Sequence, residues 1–221
     1  MNKDKASTND ELRSELEAGL LKLDLSDFAN IGEDVLELSL DVLLEDDILK
    51  DAPLVGVAAK LYSAGSKIHM YHVQKNILHF FQEYSHGAIN QSKREEFLAR
   101  FQDDQKYRRD VLDIILISLT KYHDAIQARV LANLIVAHLN GLMDFQQLRA
   151  CEFALNMLNP LAYQYLDVLA KSETPFVTNR PDRNQEALLF SAGIASRDGF
   201  QLRVSSIGQD LFVQGIKPLA S

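Results

Sequence analysis

The chain has 221 residues, 47% of them apolar, with 10 glycines, 5 prolines and a net charge of −8. That much apolar material builds a real core and argues against disorder, while so few breakers favour long helices over a sheet sandwich with its many turns. An acidic balance also argues against broad nucleic-acid affinity, because phosphate binding needs a surplus of Lys and Arg on at least one face.

The single cysteine, Cys151, cannot form an intramolecular disulfide, and the opening MNKDKASTNDELRSEL lacks the apolar core of a signal peptide. A reducing cytoplasm is the expected compartment. The charge is uneven: residues 1–52 carry 15 acidic against 5 basic side chains, and residues 53–221 carry 16 against 18. The acidic stretch reads as solvated faces of amphipathic helices, with a docking surface for a basic partner as the alternative.

In chain order, the capping box Thr8-x-x-Glu11 opens a helix whose Leu12, Leu16, Leu20 and Leu23 share one stripe. After SDFANIG, Ile31, Val35, Leu38 and Val42 mark a second helix. Pro53 suits the first turn of a third, which keeps helical periodicity to about His86, where Gly87 offers a left-handed stop. Ser92-x-x-Glu95 reads as a capping box leading into EEFLARF, and YRRDVLDIILISLTKY is strongly apolar. In DAIQARVLANLIVAHLNG, Ile126, Val130, Leu131 and Leu134 are expected to face inward, with Gly141 as the stop. Asp144-x-x-Gln147 caps DFQQLRACEFALNML, and Pro160 starts the helix through Leu169.

Past Lys171 the character changes. SETPFVTNRPDRN reads as a linker, and NQEALLFSAG, FQLRV and SSIGQDLFVQGI read as helix, strand and Ser-capped helix. The expected fold class is therefore all-α, a multi-helix bundle with a small C-terminal α/β appendage that fits half of a winged helix. Its expected parts are an acidic helical segment over 1–52, a central bundle over 53–171, a linker over 172–183 and the appendage over 184–221. Arg197 and Arg203 are the candidates if the appendage reads DNA, although Asp198 and Asp210 dilute its charge.

KIHMYHVQKNILHFFQEYSHG, residues 67–87, holds four of the six histidines. His72, His79 and His86 nearly align on a helix, but seven residues climb about 10.5 Å, too far for two imidazoles to grip one ion. His79, Glu83 and His86, at spacings of four and three, form the closest metal-ligand set; Lys75, one turn before His79, would oppose a divalent cation. No metal is assigned. A solvated polar face is expected, with a pH sensor as the alternative. The apolar residues Val73, Ile77, Phe80, Phe81 and Tyr84 lie on another side, so the buried face is expected to change sides near residue 70, with a helix junction between Gly65 and Tyr71 as one way to do it.

Just before, PLVGVAAKLYSAGSKIHMY places Gly56, Ala59, Ser63 and Ser66 on one small-residue face, which lets another backbone approach closely. With His72, His79 and His86 these are the candidate interaction residues. Lys60, Lys67 and His69 interrupt the run, so no transmembrane span is expected, and peripheral membrane contact through residues 53–73 stays open. There is no G-x-S-x-G, H-E-x-x-H, G-x-G-x-x-G or Walker loop, and Cys151 reads as a core residue. No catalytic residue and no cofactor is assigned.

The run from DAPLVGVAAKLYSAGSKI through SKREEFLARFQDDQKYRRDVLDIILISLTKY to LNGLMDFQQLRA resembles an uncharacterised group of bacterial all-α proteins, some found in abortive-infection and phage-defence settings. The resemblance spans residues 50–155 and carries no catalytic signature. It implies an effector or regulator and transfers no functional residues. The expected function is non-catalytic interaction, as a self-associating or partner-binding protein in a defence, toxin or regulatory setting. The alternatives are a membrane-perturbing effector using residues 53–73, a DNA-binding regulator and a helical hydrolase with an unrecognised site.

Overall fold

The computed structural model describes residues 67–171, 176–177 and 183–220, together with Ser14, Leu16, Glu17 and Leu20. Among the described residues the protein is mostly helical, with eight α-helices and a small C-terminal antiparallel hairpin. The chain divides into two compact units, Met1–Ala128 and Arg129–Ser221. The boundary expected after residue 52 lies outside the described residues. Of the expected linker, Phe176 and Val177 form a short strand and Arg183 begins a helix.

The first unit is built on α1 (Lys67–His86), α2 (Gln91–Asp103) and α3 (Gln105–Lys121). Helix α1 is unbroken over its described length, and residues 53–66, where the small-residue face falls, lie outside the description. Val73, Ile77, Phe80, Phe81 and Tyr84 of α1 are buried, as their spacing requires, and α1 packs on α3, whose Val111, Leu112, Ile115 and Leu119 are buried in turn. Phe80 stacks on Tyr84 at 6.1 Å and meets Phe81 edge-on at 5.1 Å, so the second half of α1 is an aromatic wedge. Leu16 and Leu20 of the N-terminal leucine stripe are buried as well, while Ser14 is exposed.

Helix ends are secured by side chains. Helix α2 starts earlier than the Ser92-x-x-Glu95 pattern suggests, because Asn90, an equally good cap, accepts from the amides of Ser92 and Lys93 at 3.0 and 3.2 Å. Asp104 joins two helices: its N–H donates to the Arg100 carbonyl at 2.8 Å, closing α2, and its carboxylate accepts from the Tyr107 amide at 2.9 Å, opening α3. At the other end of α3, the buried Asn76 carboxamide on α1 donates to the carbonyls of Leu119 and Tyr122 at 3.0 and 2.8 Å. Those carbonyls belong to the last turn, which has no helical donors of its own. Gly87 does not take the expected left-handed conformation; Gly141 and Gly193 do.

Helix α4 (Ala125–Leu139) is mostly apolar, and every residue from Val130 to Ala137 is buried, the polar Asn133 included. Ile126, expected inside, is 38% exposed, while its neighbours Gln127 and Ala128 in the same turn are buried, so the first turn turns Ile126 outward. In the second unit follow α5 (Phe145–Met157), a 3₁₀ turn Pro160–Ala162, α6 (Tyr163–Ala170), β1 (Phe176–Val177), α7 (Arg183–Ser191), β2 (Ala195–Asp198) and β3 (Gln201–Val204). Last comes α8 (Ser206–Asp210), which runs on as a π-helix, Leu211–Ile216, and a 3₁₀ turn, Lys217–Ala220. Pro160 thus opens a 3₁₀ turn capped by Asn159, and the α-helix begins at Tyr163.

The strands order as β1-β3-β2, all antiparallel, with Ala195 opposite Val204 and Asp198 opposite Gln201. Helices α5 and α6 pack against the last helix, so residues 184–220 are seated on the helices that precede them. Close approach explains two glycines there. A Cβ at Gly208 would collide with the Ile194 carbonyl oxygen, and one at Gly215 would come within 2.8 Å of Val130 Cγ1. The Gly215 carbonyl, inside the π-helical turn, accepts from the buried Asn133 carboxamide at 3.2 Å.

Candidate interaction surface

The histidine-bearing helix presents less free chemistry than its composition suggests. His72 and His86 are exposed, His79 is half-buried, and Glu83, on the same stripe, is buried. The same burial that sets the aromatic wedge pushes the Tyr84 hydroxyl up to about 12. Among the described residues, no group of three or more His, Cys, Asp and Glu side chains is placed to hold a metal ion. Gly56, Ala59, Ser63 and Ser66 lie outside the described residues.

A second feature is a cleft of about 370 Å³ beside the first two turns of α3, lined by Glu17, Gln105, Lys106, Arg108, Arg109 and Leu112. Arg108 meets Glu17 at 3.6 Å. Where α2 meets α3, the Arg100 guanidinium lies over the Tyr107 ring at 3.9 Å, a cation–π contact, and the Asp104 carboxylate acts on the same side chain. One of the cleft's three cations, Arg108, is thus met by a carboxylate of the lining itself.

At the C-terminal hairpin, Arg197 is partly exposed but its guanidinium is tied to a buried carboxylate. Its Nε donates to Glu186 Oε2 at 3.1 Å and its Nη2 reaches the same oxygen, while the Glu186 side chain is buried. A buried carboxylate left without its cation is costly, so this arginine is held by the fold. Arg203 and the tip residue Phe200 are exposed, and Gly199 makes the turn with φ +60°.

The surface that departs most from ordinary packing is on α5. Its helix is well founded: Asp144 accepts from the Gln147 amide and Gln147 Oε1 accepts from the Asp144 amide, both at 2.8 Å, completing the expected capping box. Leu148, Cys151, Ala154 and Leu155 form the buried face. On the opposite face, Phe153 is 65% exposed and Met157, one turn on, is 50% exposed; Leu161, in the 3₁₀ turn, is 72% exposed. Arg149, one turn before Phe153, is exposed and makes no ion pair among the described residues.

Sequence reasoning missed this stripe. Its only trace is surplus: DFQQLRACEFALNMLNP has more apolar residues than one buried face can take. Cys151, on the buried face, has its thiol pushed up to about 12 by burial and by the nearby Asp210 carboxylate, and its Sγ lies 3.8 Å from the Ile207 carbonyl oxygen. It is a packing residue, poor as a nucleophile.

No family model, no curated protein and no solved structure matches the chain. Among the described residues the chain is a mostly helical protein with a small C-terminal antiparallel sheet. No helix among the described residues is long and apolar enough to cross a membrane.

Proposed function

We propose that this chain is a non-catalytic interaction protein that acts by docking another protein, as an effector or regulator in a bacterial defence or toxin setting would. The observation that supports the reading is the exposure of Phe153 and Met157 on a helix whose other face is packed, with Leu161 exposed in the 3₁₀ turn that follows. Isolated exposed apolar residues are ordinary, but a phenylalanine and a methionine one turn apart on the same exposed helix face are what a contact site offers. Aromatic and methionine side chains are also what interface centres favour. Arg149 at the edge of the stripe suits the polar rim such a centre needs.

The test is purification of the intact tagged chain from its own cells after mild cross-linking, with wild type beside Phe153→Glu. Wild-type complexes heavier than the 24.9 kDa chain that disappear in the variant are expected. A wild type recovered alone at that mass would overturn the reading.

A further inference from the structure

The cleft beside the first two turns of α3 is where positive charge is left over. Three of its six lining residues are cations, Lys106, Arg108 and Arg109, against the single carboxylate of Glu17. Arg108 meets Glu17 at 3.6 Å, close enough to feel its charge but too far for a hydrogen bond. Lys106 and Arg109 are exposed and make no ion pair or side-chain hydrogen bond among the described residues, although the chain holds 31 acidic side chains against 23 basic ones. Other exposed lysines do find carboxylates: Lys93 reaches Glu96 and Lys171 reaches Asp167, both at 2.8 Å. Like charges one turn apart on a helix repel, and an anion set between Lys106 and Arg109 would turn that repulsion into attraction.

The rest of the lining bears on what the anion is attached to. Gln105 offers a carboxamide that can donate and accept, Glu17 a carboxylate that accepts from hydroxyls, and the buried Leu112 an apolar patch. None of the six residues has a ring on which a base could stack, and Tyr107, between Lys106 and Arg108 in sequence, is buried and covered by the Arg100 guanidinium. The volume of about 370 Å³ lies at the small end of the range for ligand cavities. We propose that this cleft binds a small sugar phosphate, its phosphate held by Lys106 and Arg109 and its hydroxyls by Glu17 and Gln105. The planar fork of an arginine suits two phosphate oxygens at once, and the ammonium of a lysine serves as a point charge beside it. This ligand is independent of whatever docks on α5, so either reading can fail alone.

Isothermal titration of the full chain at fixed ionic strength tests it, with glucose 6-phosphate, ribose 5-phosphate, glucose, AMP and inorganic phosphate as probes. A sugar phosphate is expected to bind with a dissociation constant of roughly 10 μM to 1 mM, with AMP and inorganic phosphate at least threefold weaker and glucose silent. Lys106→Gln combined with Arg109→Gln should weaken the sugar phosphate at least about tenfold, as two charge-assisted contacts are lost, with the melt of the free chain unchanged. The exposed Lys121→Gln, at the far end of α3, should leave binding as it was. Glu17→Gln has the most telling sign: it should tighten inorganic phosphate about threefold, because a like charge is gone and Arg108 is released, while the sugar phosphate loses a hydroxyl acceptor and gains less.

A chain that binds neither sugar phosphate, or binds one just as well after the double substitution, would overturn the site. AMP or inorganic phosphate held as tightly as the better sugar phosphate would overturn the class of ligand. Inorganic phosphate weakened by Glu17→Gln would place the anion away from this cleft and overturn the assignment as well.

Discussion

Helices α1 and α5 are opposites. Helix α1 carries the residues that draw the eye in the sequence, His72, His79 and His86, but spends its aromatic side chains on the interior. Helix α5 has an unremarkable sequence, folds from a well-made capping box and leaves a phenylalanine and a methionine in water. The lesson concerns cost. Exposed histidines are nearly free, because imidazole is at home in water, whereas exposed Phe and Met forgo burial worth about 1.5–3 kcal/mol each when complete. The expensive feature is the better guide to function.

That contrast can be broken or sharpened by measurement. The largest effect is expected at the aromatic wedge: Phe80→Ala should cost about 3–5 kcal/mol by urea unfolding, since it opens a cavity in a fully buried cluster. Next comes Asn76→Ala, which removes the donor from two buried carbonyls at the end of α3 and should cost about 1–3 kcal/mol in the same assay. If that variant were neutral, the clamp between α1 and α3 would be ornamental.

Alkali probes the wedge without mutation. Burial raises Tyr84 in the folded chain to about 12 from an ordinary 10.0, so its stabilisation is complete below pH 10 and is lost as pH rises toward 12. About 1 kcal/mol should be gone near pH 11, read as a falling urea midpoint. Tyr107 and Cys151, raised for the same reason, push in the same direction. The smallest effects are expected on the two water-facing surfaces: His72→Ala and Phe153→Ser should each change stability by no more than about 0.5 kcal/mol. A larger loss at His72 would mean the polar face of α1 is part of the fold, and the contrast would collapse.

How much of this was readable beforehand follows from what periodicity can report. The mostly helical architecture, the Asp144 box, the Ser205 cap, the Gly141 and Gly193 stops and the buried set on α1 are local signals, and local signals survive into the structure. Ser92 was overtaken by Asn90 because two good caps stood within one turn of each other. Phe176 and Val177, within the segment that reads as a linker, pair instead with β3, a long-range choice that no neighbour in sequence announces. The α5 stripe was hidden for a related reason. When apolar residues occupy both faces of a helix, spacing shows that there are two faces but not which one the fold leaves over. Arg197 carried no mark of its tie to Glu186, eleven residues away across a turn.

Cys151 offers a further use. As the protein's only thiol, packed between α5 and the Ile207 carbonyl of α8, it is shielded both by neighbours and by a proton it releases only near pH 12. A thiol reagent can reach it only when those two helices part. Its labelling rate in native buffer is thus a clock for the breathing of the C-terminal element, and it needs no mutation to be started.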